Sequence, residues 1–181
     1  MAGIADLKGT YVLDPSHSQV GFIARHAMVT KVRGTFNEVD GTATFDGSNP
    51  SSSSLTVAIK TASVDTRNEG RDAHLQSADF FDAETYPEIT FVGTGFAVSG
   101  DVLEVTGDLT IRGVTKPVTV PFEFQGAATD PFGNQRVGFE GSVVVNRKDW
   151  DLTWNAALET GGVLVSEKVT LEFEVSAIKQ A

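Results

Sequence analysis

Residues 103–111 read Leu103-Glu104-Val105-Thr106-Gly107-Asp108-Leu109-Thr110-Ile111. Every second residue is apolar or glycine, and those between are acidic or hydroxylated. A period of two places the apolar set on one face of an extended strand and the polar set on the other. That is the pattern of an antiparallel sheet with one wet face. Gly107 interrupts the apolar row. Glycine inside such a strand marks a bend or a close backbone approach, as a closing sheet requires.

The same alternation recurs along the chain. Val118, Val120, Phe122 and Phe124 form one row, Val169, Leu171, Phe173 and Val175 a second, and Leu55, Val57 and Ile59 a third. Weaker versions run through Val20–His26, Val32–Phe45, Ile89–Val98 and Val137–Val145. Turn residues separate them. Ser99-Gly100-Asp101 predicts a tight hairpin, Arg112–Pro117 joins the next pair, and Asp130–Asn134 makes a longer turn. Asp46–Pro50 and the serines after it read as a loop, and Asp14–Ser18 as a break between two early strands. Helical signal is sparse, with one short turn expected at Met28–Lys31 and another from about Arg71 to Ser77. Consecutive hairpins build a meander, and about eight or nine strands in one domain predict an all-β barrel or sandwich.

Composition narrows the function. The chain has 181 residues, 40% apolar and 21% charged, which suits one soluble globular domain. Its net charge of −10 argues against nucleic acid or an anionic membrane as partner, since phosphate binding needs a positive patch. It has no cysteine, so disulfides, thiolate metal sites and cysteine nucleophiles are excluded. No stretch approaches the roughly 18 apolar residues of a membrane span. The start, MAGIADLKGTYVLD, lacks the pattern of a secretory signal, so the chain as written is expected to be cytoplasmic. Removal of a leader would make it periplasmic or extracellular.

Strands with one apolar face must point that face somewhere. A barrel of about eight strands is either filled by its side chains or holds one small ligand. Runs of eight to ten residues span about 25–33 Å, long enough for an extended hydrocarbon tail. Periodicity alone favours the filled interior, because large cavities are rare in proteins.

The least sheet-like stretch is Thr66–Phe91, TRNEGRDAHLQSADFFDAETYPEITF. It mixes Arg67, Arg71, Asp72, His74 and Asp79 with Leu75, Phe80, Phe81 and Tyr86. Such a mixture suits a segment that covers the open end or side of something apolar. Arg71, Asp72 and His74 are expected to form an ion-paired knot there, with Asp72 also able to accept from backbone N–H groups of its loop. The charges either fasten the segment to the barrel rim or, in the case of Arg71, meet a ligand head group. His17, His26 and His74 are too widely spaced to match a local metal motif, so no metal is expected. No Gly-x-Ser-x-Gly elbow occurs, and Asp79, Asp82 and Glu84 read as solvated, so no catalytic residues are assigned. Trp150 and Trp154 lie beside Arg147-Lys148-Asp149 and Asp151, as anchors of a barrel end.

Several of these pieces, taken in order, resemble the YceI-like family of lipid-binding proteins. They are Asp14-Pro15-Ser16-His17-Ser18, Phe22–His26, Val32–Phe36, Arg71-Asp72-Ala73-His74-Leu75, Asp79-Phe80-Phe81-Asp82, Tyr86–Phe91, Gly107–Pro117 and Val145–Trp150. The resemblance runs from about Thr10 to the C-terminus. It makes residues 1–181 a single domain with residues 1–9 as an N-terminal extension. It implies an extended antiparallel lipocalin-like barrel of about eight strands with one or two short helices and an elongated pocket, hollow rather than filled. It further implies a non-enzymatic carrier or store for a polyisoprenoid, isoprenoid quinone or fatty-acid derivative, often a homodimer, with no cofactor beyond the bound lipid. On that basis Phe22, Ile59, Phe91, Leu109, Ile111, Val120, Phe122, Phe139 and Val143 are expected along the tail. Leu75, Phe80 and Phe81 are expected to close the pocket or to pack beneath the covering segment, and His26, Arg71 and His74 to meet the head group. The competing readings are a filled interaction module and an enzyme acting on a bound lipid or quinone.

Overall fold

The alternating runs become strands because each can bury one face while its backbone pairs with neighbouring strands. A computed structural model describes residues 3–159 and 161–181. In chain order the strands are β1 Lys8–Leu13, β2 Gln19–His26, β3 Thr30–Phe36, β4 Val39–Asp46, β5 Ser54–Lys60, β6 Val64–Asp65, β7 Glu88–Ser99, β8 Val102–Ile111, β9 Val114–Thr129, β10 Gln135–Asn146 and β11 Lys168–Lys179. A single α-helix, α1 Glu69–Gln76, lies among the described residues between β6 and β7.

All pairings are antiparallel, and the sheet runs β1-β4-β5-β7-β8-β9-β10-β11 before returning to β1. The ring closes through Tyr11↔Lys179, Val12↔Ile178 and Leu13↔Ala177, giving an eight-stranded closed barrel. β11 pairs with β1 near its end and with β2 over Thr170–Glu174, so β1 and β2 share one place in the wall. β4 and β3 likewise share the next place, and β5 and β6 the third. Neighbours in sequence are therefore neighbours in the wall, which is an up-and-down barrel.

The divisions have local causes. Asp14 accepts from the backbone N–H of Ser16 at 3.0 Å, and Pro15 opens a short 3-10 turn. Ser18 Oγ donates to Ser176 O at 3.1 Å and accepts from Ser176 N at 2.9 Å, substituting for the interrupted ladder. The expected single run Val32–Phe45 is split at residues 37–38. There Asn37 donates its backbone N–H to Ser63 O at 3.1 Å and its amide to Asp65 at 3.2 Å. The expected helical turn at Met28–Lys31 is instead a hairpin turn with positive φ at Ala27 and Met28, and β3 already begins at Thr30. The link expected over Arg112–Pro117 shrinks to Arg112-Gly113, both with positive φ. Pro117 and Pro121 then lie inside β9. Proline removes a ladder donor, and β9 tolerates it because its register with β10 stops at Phe122.

Side chains close both ends. The lower end carries the Gly100-Asp101 turn and the N-terminal residues. There a 3-10 turn over Ile4–Asp6 places Ile4, 2% exposed, and Leu7 against Tyr11, Phe45, Leu103, Val105 and Val137. Gly47 fits this plug because a Cβ there would lie 1.9 Å from Ile4 O. Ile4 and Leu7 of the N-terminal extension are thus part of the barrel's interior. At the upper end Trp150, 2% exposed, donates its indole N–H to Leu109 O at 2.8 Å and packs with Leu152. Among the described residues, no helix is long and apolar enough to cross a membrane.

Candidate functional site

Strand parity sends Phe22, Phe36, Phe91, Phe122, Phe139 and Phe173 to the barrel axis. In a filled core they would be fully buried, yet each is only half-buried. The space they surround is a chamber of about 310 Å³, running from Leu7 and Phe45 below to Phe80, Trp150 and Leu152 above. Ligand pockets occupy roughly 300–1,000 Å³, and a dry apolar cavity of about 150 Å³ already takes a benzene.

Among the described residues bordering the chamber, polar side-chain atoms come from Tyr11, Thr42, Arg147 and Trp150. Burial pushes the Tyr11 phenol above its ordinary range, so it stays neutral. Arg147 is buried, and desolvation lowers its pKa from an ordinary value that is very high. Its guanidinium donates to three main-chain carbonyls, at 2.8 Å from Ser166 O, at 3.3 Å from Val165 O, and to Leu152 O. It thereby stitches the segment after β10 across the upper end.

Of the residues expected to touch a tail, Phe22, Ile59, Phe91, Leu109, Ile111, Val120, Phe122 and Phe139 border the chamber, as do Leu75, Phe80 and Phe81 from the covering segment. Val143 packs against the upper core cluster without bordering the chamber. Sequence reasoning missed Phe45, Phe96, Leu103, Leu171 and Phe173, which also border the chamber, Phe96 beyond a bulge at residues 93–95 that breaks the parity of β7. Period two alone would have reached Leu103, Leu171 and Phe173. The burial of Arg147 left no trace in the pattern, because a charge beside a tryptophan at a strand end reads as solvated.

The covering segment is held in part as expected, since Asp72 accepts from a backbone N–H of its loop, but the ion-paired knot of Arg71, Asp72 and His74 does not form. Asp72 Oδ1 accepts from Thr66 N at 2.8 Å and from Thr66 Oγ1 at 2.6 Å. Arg71 donates from Nε to Thr66 Oγ1 and from Nη2 to Thr66 O, both at 2.7 Å. Buried Thr66 is therefore the centre of the knot, and His74 stands outside it. His74 Nε2 lies 2.9 Å from Asp79 Oδ2, and its ring packs edge-on to Phe80 and Trp154. Arg71 and His26 border a second, outer void of about 900 Å³, which His74 does not reach. The three head-group candidates thus fall at two places.

The model of the YceI-like domain matches residues 11–177. Protein YceI of Escherichia coli O157:H7 is 40% identical over 164 residues, which cover 91% of this chain and 83% of that protein. The crystal structure of Burkholderia cenocepacia BcnA is similar with a TM-score of 0.79 at 26% identity, covering 91% of this chain and 98% of that one. A polyisoprenoid binding domain from Saccharophagus degradans, implicated in plant cell wall breakdown, has a TM-score of 0.73 over 96% of this chain and 100% of its own. At 18% identity that likeness is one of fold.

Proposed function

This chain belongs to the YceI-like domain family, and from that premise we propose that it binds one long-chain amphiphile with the tail along the barrel axis. The single observation that carries the reading is the set of half-buried phenylalanines around an apolar axial chamber of about 310 Å³. The tail is an isoprenoid or fatty chain, and the protein carries or stores it without chemical change. Two things support this. The wall offers van der Waals contact along its length with few polar groups, and a neighbour of the same fold is described as polyisoprenoid binding. About ten buried methylenes at ~0.8 kcal/mol each supply roughly 8 kcal/mol, the scale of micromolar binding before ordering costs. In this reading the active species is a homodimer, and the lipid is its only bound group.

Native mass spectrometry of the purified protein, followed by organic extraction, tests the proposal. A stoichiometric lipid in the extract supports it and names the chain, and the same spectrum gives the oligomeric state. A protein that is isolated empty and then fails to take up isoprenoids, quinones and fatty amides overturns it in favour of a filled interaction module.

A further inference from the structure

Beyond the split in the wall, β3 is held by β2 on one side, over Val20↔Phe36 to His26↔Thr30. On its other side the registered pairs are Thr35↔Asp65 and Phe36↔Val64. Among the described residues, Thr30–Gly34 of β3 therefore has no registered strand partner facing α1. The outer void of about 900 Å³ lies along this stretch, between β3 and the start of the covering segment. Leu13, Val20, Phe36 and Val39 border both that void and the chamber. These four apolar side chains are the partition between the outside and the tail site. Ile4 and Leu7 fill the lower end, and Trp150 and Leu152 the upper.

The rim of the outer void has an unusual charge. Among the described residues, Lys31, Arg33, Arg67 and Arg71 border it together with His26, against one carboxylate, Asp65. The chain as a whole is at −10. Asp65 is already engaged by the backbone N–H of Arg67 at 2.9 Å and by the Asn37 amide at 3.2 Å. Arg33 has only a loose exposed contact with Glu172 at 3.8 Å. Among the described residues, Lys31 and Arg67 make no ion pair.

We infer that this side opening is the door to the chamber, and that its cationic rim selects an amphiphile with an anionic carboxylate or phosphate head. The tail passes between Leu13, Val20, Phe36 and Val39, and the head stays outside among the cations. The inference rests on the tail-binding function proposed above.

The test uses three probes with the same tail: hexadecanoate, hexadecyl phosphate and hexadecanol. The wild-type protein should bind the two anions about tenfold more tightly than the alcohol at low ionic strength. In the double variant Lys31→Glu/Arg33→Glu, both changes at exposed positions, that preference should vanish while the affinity for hexadecanol stays within about twofold. A preference that survives the double variant, or that is absent from the wild type, overturns the anionic selection. Failure of all three probes to bind overturns the tail-binding function itself, and the door with it. The route is read separately, since the chain has no native cysteine. A bulky maleimide on Lys31→Cys should slow hexadecanol uptake about tenfold, whereas the same label on Glu104→Cys, on the outer face of β8, should leave the rate unchanged. Equal rates for the two labelled proteins overturn the door.

Discussion

Gly107 and Phe122 show what single side chains do in a hollow barrel. The ring of Phe91 lies across Gly107, so a Cβ there would sit 2.4 Å from Phe91 Cζ and 2.7 Å from Val92 O. The second neighbour is backbone and cannot step aside. Gly107→Ala should therefore destabilise the protein by about 1–3 kcal/mol, read as a lower urea midpoint. Phe122 faces the chamber and packs 5.8 Å, centroid to centroid, from Phe173. Phe122→Arg places a charge on the axis, where a tail has no group to pair with it. The variant should keep its strand signal in circular dichroism and lose tail binding. Binding at wild-type affinity by the folded variant would show that the tail lies elsewhere.

At the scale of elements, the barrel is held shut by segments that are not strands. Arg147 closes the upper end through three carbonyls, and its planar fork matters more than its charge. Arg147→Met keeps the bulk and strands those carbonyls, at about 1–3 kcal/mol for a buried group left unpaired. Amide exchange should accelerate across 147–167 and stay slow in β7 and β8, and Arg147→Lys should rescue it poorly. Uniform acceleration along the whole chain would mean that Arg147 supports the barrel and not its cover. The strands were legible in the sequence because each has one wet face, and period two survives even where neighbours are unknown. The break at Asp14–Ser18 was legible because proline beside an Asx turn has a chemical signature. The plug was not legible, since Ile4 and Leu7 are isolated apolar residues with no period to announce them. The division of Val32–Phe45 was hidden because hydrogen bonds from Asn37 to Ser63 and Asp65, distant in the chain, cause it. The covering segment was readable from its mixture of charges and aromatics, but Thr66, the centre of its knot, is a threonine like any other until its partners are in place.

At the scale of the whole molecule, one ion network ties the lower loops to the wall. Arg136 on β10 donates from Nη1 to Asp14 Oδ2 at 2.7 Å and from Nε to Asp130 Oδ2 at 2.8 Å. Asp14 is held well below the usual carboxylate range by hydrogen bonds from Ser16, Arg136 and His17. Burial alone would push Asp130 up, but donors on Arg136, Asn134 and Phe132 bring it down to about 2. Both folded values lie under the unfolded value of about 3.9. Their contribution is therefore complete above about pH 5 and is lost progressively as pH falls, through about 2 for Asp130 and lower still for Asp14. Thermal melts between pH 7 and pH 2 should show a steep fall over that window in the wild type and a flatter one in Arg136→Met. Parallel curves would remove this network as the source of acid sensitivity.

The ring closes between β1 and β11, the first and last of the described strands. During synthesis the final stave leaves the ribosome last, and until it docks there is a curved sheet but no enclosed space. In the reading proposed above, a tail taken up by the folded protein meets a wall already closed around its girth.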